Sequence, residues 1–98
     1  MEPPPKQLDD ANVLFWALCA QATPTGKTSH YRDGQLQPPA SALAICQYPH
    51  DNGFYLFYCD QDWKVCNDTW HDSVDSAKRQ AEFEYDGVSA FWKVGDPR

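Results

Sequence analysis

Val13 to Ala20 is a continuous apolar run of strand length and strand composition. Two further runs have the same character. Ala42 to Tyr48 is closed by Pro49 and the turn signal Asp51-Asn52-Gly53, and Phe54 to Cys59 is the strongest strand in the chain. Asp60-Gln61-Asp62 makes a tight turn, from which Lys64 to Trp70 returns as a fourth, less apolar strand suited to a sheet edge. Residues 1–12 are polar and proline-rich and form an arm, leaving 13–98 as a single domain. Residues 21–40 contain Pro24, Gly26, Gly34, Pro38 and Pro39 without periodicity, which gives a loop of about twenty residues.

After Trp70 the period changes from two to 3.6. His71-Asp72-Ser73 supplies N-cap candidates, and Asp75 stands three residues past Asp72 in an approximate capping box. With Val74 at 0° and about 100° per residue, Ala77 falls near 300°, Ala81 near 340° and Tyr85 near 20°. This narrow apolar stripe predicts a helix to about Asp86, with Gly87 at C′ and the tail 88–98 beyond it. Phe83 lies opposite the stripe. A Schellman contact between Phe83 and Val88 accounts for it, with a binding contact as the alternative. The expected fold is α+β: an antiparallel sheet of about four strands followed by one helix on one face (ββββα).

Strand patterning raises a question of cover. A half-covered antiparallel sheet alternates apolar and polar positions. Here Val13, Phe15, Ala17 and Cys19 oppose Leu14, Trp16 and Leu18, and Phe54, Leu56 and Tyr58 oppose Tyr55, Phe57 and Cys59. Both faces therefore call for burial, yet there is one helix. The tail residues Phe91 and Trp92, the Pro3-Pro4-Pro5 arm, the 21–40 loop or a second protein chain, as homodimer or heterologous partner, are the candidates for the second face.

Composition narrows the function. Ninety-eight residues allow one domain, and a chain this short buries roughly two thirds of its unfolded surface, enough for one small core. Fourteen acids against eight bases give a net charge of −6, so a nucleic-acid partner, which would call for a basic face, is not expected. No apolar run approaches the ~18 residues of a membrane span. Val13–Ala22 resembles a signal-peptide core, but Glu2, Asp9 and Asp10 against Lys6 give the preceding segment the wrong sign, so the expected location is the cytoplasm. Cys19, Cys46, Cys59 and Cys66 each sit in or beside an apolar run and read first as reduced, buried thiols. Disulfides and a metal site are the lesser alternatives.

Chemical motifs are weak. Thr25-Gly26-Lys27-Thr28 resembles the end of a phosphate loop, but Gln21 stands where the first glycine belongs and no helix follows. Asp60-x-Asp62 begins like a calcium loop but lacks its glycine, and His71 occupies the position of the closing glutamate. Asp68 and His71 lie at the strand-to-helix junction, where Cys59 or Cys66 could join them in a nucleophilic or metal-dependent site. That is the runner-up reading; no cofactor and no metal are expected. Charge is the remaining resource. Residues 60–86 hold eight acids against Lys64, Lys78 and Arg79, a charge suited to steering a basic partner.

Gly53-Phe54-Tyr55-Leu56-Phe57-Tyr58-Cys59-Asp60, Asp68-Thr69-Trp70-His71-Asp72-Ser73-Val74 and Ala77-Lys78-Arg79-Gln80-Ala81-Glu82-Phe83-Glu84-Tyr85 resemble a family of small uncharacterised bacterial proteins. More distantly, a strand ending in Asp68-Thr69 and followed by a helix with Asp75 and Ala77 is similar to HicB-type antitoxins. That resemblance implies a small α+β domain paired with a toxin. The glycine-rich turn of those antitoxins is replaced here by Trp63-Lys64-Val65-Cys66-Asn67, and no DNA-binding tail follows. The expectation is a small acidic protein-binding module, an immunity- or antitoxin-like inhibitor of a basic partner. Trp16, Tyr55, Phe57 and Trp92 are the candidates for a sheet-face contact, and Asp60, Asp62, Asp68 and Asp72 for an acidic one.

Overall fold

The computed structural model describes residues 1–95. The fold is α+β, with more strands than the four expected. In chain order they are β1 (Gln7–Leu8), β2 (Ala11–Leu18), β3 (Thr23–Pro24), β4 (Tyr31–Arg32), β5 (Gln35–Leu36), β6 (Ala42–Gln47), β7 (Phe54–Cys59) and β8 (Val65–His71). The helix α1 (Val74–Glu84), β9 (Tyr85–Asp86) and β10 (Lys93–Val94) complete the chain. The main sheet is antiparallel, in the order β1-β2-β6-β7-β8, with β10 also on β2. Three of the four expected strands, β2, β6 and β7, are its centre, and the fourth, β8, takes the edge position expected of it.

The additional strands are two residues long and carry no pattern of their own. Within the arm, Gln7–Leu8 pairs back on Ala11–Asn12 across a two-residue turn, so the arm is partly regular. Lys93–Val94 pairs with Phe15–Trp16, and the Gly95 amide donates to the Leu14 carbonyl at 2.8 Å. A Cβ on Gly95 would stand 2.1 Å from the Val13 carbonyl oxygen, so only glycine allows this approach. The last three residues of the expected 88–98 tail lie outside the described residues. The 21–40 segment contains β3, which pairs with β9, and the β4–β5 hairpin.

Ser73 is the N-cap of α1, accepting from the Ser76 amide at 3.0 Å, so the Asp72/Asp75 capping box does not form. The helix ends at Glu84, two residues early, because Tyr85–Asp86 turns into β9. No Schellman contact closes it. The Thr25 hydroxyl donates to the Phe83 carbonyl at 2.7 Å and the Thr25 amide to that of Glu84 at 2.9 Å, satisfying carbonyls a helix end leaves open. Thr25-Gly26-Lys27-Thr28 is thus a helix clamp. Phe83 stays half-exposed with the Lys27 ammonium 5.0 Å from its ring centre.

Two cores result. Ala77, Ala81 and Tyr85 pack on Ala17, Leu43, Ile45, Leu56 and Tyr58. The small helix residues allow this close approach. Leu8, Ala11, Val13, Trp16, Ala42, Ala44, Cys46, Phe57 and Cys59 form the second core, on the other face. Its cover is the chain's own. Trp63 meets Trp16 edge-on at 5.9 Å, and its indole N–H donates to the Glu2 carbonyl at 2.9 Å, tying the arm down. Trp63 adopts φ +63°, unusual for so large a residue. The Asp60 carboxylate makes this possible by accepting from the amides of Asp62 (2.8 Å) and Lys64 (3.0 Å).

Candidate functional site

The expected contact residues do not form one surface. Trp16 is 9% exposed and Phe57 1%, both within the second core. Trp92 packs against the first core, on the helix side, and its buried indole N–H has no partner among the described residues. Only Tyr55 of this set lies half-exposed on the second face. The acids are dispersed as well. Asp60 and Asp62 belong to the β7–β8 turn, Asp72 follows β8 at the opposite end, and Asp68 stands between. Asp68 and His71 are three apart on a strand and face opposite sides: Asp68 pairs with Phe57 and His71 with Phe54. His71 is held between the Thr69 and Ser76 hydroxyls at 2.7 and 3.1 Å. Burial lowers its pKa, partly offset by Asp72 and Glu84. Burial pushes the Cys59 thiol up to about 12, with Cys66 and Asp60 adding to it, the reverse of an activated cysteine. Among the described residues no group of three His, Cys, Asp or Glu side chains could hold a metal ion.

Two other places gather polar chemistry. The first is the open corner of the second face. Register places Trp70 beside Tyr55, and the Tyr55 ring meets Tyr48 edge-on at 5.4 Å. Trp70 lies over Gly53, where a Cβ would come within 2.1 Å of the indole nitrogen, and is still 56% exposed. Asp68, two residues before Trp70, shares its face. Asp9 and Asp10 reach the corner from the β1–β2 turn at the far edge. Burial, then the charges of Asp9, Asp68 and Asp10 together with Tyr55, raises the Tyr48 phenol. Both turn aspartates are left-handed, φ +47° and +69°, where Asn-Gly is the comfortable pair. Among the described residues no Lys or Arg side chain is ion-paired with any acid, so these three carboxylates are free to meet an external cation.

The second place is at the C-terminal end of α1. The Glu84 side chain is 3% exposed. One oxygen accepts from the Thr28 hydroxyl and from His30 Nε2 (2.6 Å), the other from the Tyr58 hydroxyl and from Gln80 Nε2 (3.1 Å). Asn67 fixes the histidine. Its Oδ1 accepts from the Asp68 amide at 2.8 Å, so its Nδ2 donates to His30 Nδ1 at 2.7 Å. In this arrangement His30 presents its Nε2–H to Glu84. Burial alone would raise the Glu84 pKa, but the bonds from Thr28, Tyr58, His30 and Gln80 outweigh it and hold the carboxyl below the ordinary glutamate range. Thr28 and His30 come from the 21–40 segment, so this one carboxylate ties that segment to helix and sheet. Beside it lies a cavity of about 330 Å³.

None of these four partners of Glu84 was a sequence candidate, nor were Tyr48, Trp70, Asp9 and Asp10. No family model, no curated protein and no solved structure matches the chain. No helix among the described residues is long and apolar enough to cross a membrane.

Proposed function

We propose that this chain is a protein-binding module whose docking surface is the Tyr48–Tyr55–Trp70 corner, and that its partner presents a cationic segment. The role that fits is inhibitory, as in immunity proteins and antitoxins: a small acidic domain covers the basic working surface of another protein. One observation carries the reading. An exposed tryptophan stands beside Tyr55, which meets Tyr48, and Asp9, Asp10 and Asp68 act on that Tyr48 while no Lys or Arg neutralises them among the described residues. Aromatic anchors at the centre of a patch supply binding energy, and surrounding charges supply orientation and on-rate. Arginine suits such a patch best, because its guanidinium both stacks on aromatic rings and pairs with carboxylates.

The β1–β2 turn supports the same reading. Two left-handed aspartates cost of order 1 kcal/mol each relative to glycine, and their like charges repel, so the local fold gains nothing from them. The test is a titration with a peptide of alternating arginine and leucine, with a glutamate–leucine peptide as control. Saturable binding of the cationic peptide that weakens with salt and fails in Trp70→Ala supports the module. Affinity independent of salt, or unchanged in Trp70→Ala, overturns it.

A further inference from the structure

The cavity beside Glu84 lies beneath the 21–40 segment, at the opposite end of the architecture from the aromatic corner. Its walls are largely apolar, with Pro24, Leu36, Pro38 and Pro39 supplied by the segment above and Tyr85 by the end of the helix. At about 330 Å³ it is at the lower end of the range for small-molecule sites, the size of a single-ring compound. The charged residues on its lining are both acids, Asp60 and Glu84, and no Lys or Arg lines it. Glu84 is met by hydroxyls, an amide and an imidazole N–H, so its lone pairs are occupied while no Lys or Arg on the lining offsets its charge. Asp60 uses Oδ1 for the amides of Asp62 and Lys64, and Oδ2 has no partner among the described residues.

We propose that this cavity is a binding site for a small organic cation: a primary ammonium on a compact apolar body. The body fills the proline-lined walls. The ammonium meets Asp60 Oδ2 and the field of Glu84, which a low-dielectric wall strengthens. Anionic ligands are excluded by the same two charges. Neutral ligands keep the apolar contact and lose the electrostatic one.

Benzylamine, benzyl alcohol and benzoate separate these contributions, because they share a ring and differ in charge. An affinity of roughly millimolar order is expected for a ligand of this size, so binding is read by two-dimensional NMR titration. Benzylamine is expected to saturate, shifting the signals of His30, Ser41 and Asn67. The alcohol is expected to bind about tenfold more weakly, as one charge-assisted contact implies, and benzoate not at all. Asp60→Asn should weaken the amine several-fold and leave the alcohol unchanged, and it keeps the test open if Glu84→Gln fails to fold. Equal binding of amine and alcohol overturns the proposal. So does the absence of saturation by the amine, or amine-induced shifts confined to the Trp70 corner.

Discussion

The protein handles negative charge in two opposite ways. At the aromatic corner, Asp9, Asp10 and Asp68 are exposed and have no Lys or Arg partner among the described residues. At the helix end, Glu84 is buried and takes four side-chain donors. An exposed carboxylate costs the fold little and leaves its charge for a partner. A buried one is costly unless its oxygens are satisfied, and satisfying them draws distant segments together. Charge alone therefore does not mark a docking surface. For docking another protein, the acids that matter are the ones the fold leaves free, whereas Asp60 is partly engaged, its Oδ1 holding the β7–β8 turn.

Removing Glu84 is the severest way to break the comparison. Glu84→Ala strands Tyr58, Thr28, His30 and Gln80 and should lower stability by about 3 kcal/mol, read from the urea midpoint at constant slope. A loss below about 1 kcal/mol would mean that the network is incidental.

Acid tests the same group without a cavity. A carboxyl depressed in the folded state contributes stability that is complete above its ordinary pKa of 4.5 and lost as pH falls through the lower folded value. Stability should therefore decline as pH drops below about 4.5, and Glu84→Gln should flatten that limb relative to wild type. Equal slopes in the two proteins would remove Glu84 from the account.

The corner should respond in the opposite sense. Trp70→Ala should cost at least roughly tenfold in affinity for the cationic peptide while changing stability by no more than about 0.5 kcal/mol. Gly53→Ala tests the seat of the same ring. A Cβ there must push the indole aside, with an expected loss of a few-fold in affinity and about 1 kcal/mol in stability. The smallest change is the most discriminating. Asp9→Asn with Asp10→Gly should raise stability by about 0.5–1 kcal/mol while weakening peptide binding about threefold. A variant that gains both stability and affinity would show that the aspartates serve no partner.

Much of the fold was legible, because β2, β6, β7, β8 and α1 each carry their own period. Phe54–Cys59 was placed at both ends. The two-residue strands were not legible, since Gln7–Leu8, Lys93–Val94 and Tyr85–Asp86 are defined by what they pair with. The second face also resisted reading. Its cover depends on the left-handed turn at Trp63 and on the hydrogen bond to Glu2, neither of which has a sequence period. Glu84 did leave a signal. On the wheel that places Ala77 near 300° it falls near 280°, a charge at the border of the apolar stripe. Strand alternation likewise puts Tyr58 on the face of Leu56. His30 and Thr28, in an aperiodic loop, left none. The corner is assembled from four separate segments, and the Asp9-Asp10 turn is its one local oddity.

The most direct test of the central claim is to map the arginine–leucine peptide onto the protein by NMR chemical-shift perturbation. The account predicts shifts at the Trp70 indole N–H and at residues 9–10, 48, 55 and 68, with His30 and Gln80 unmoved. Perturbation centred on Asp60–Asp62, or spread evenly over every exposed acid, would contradict it.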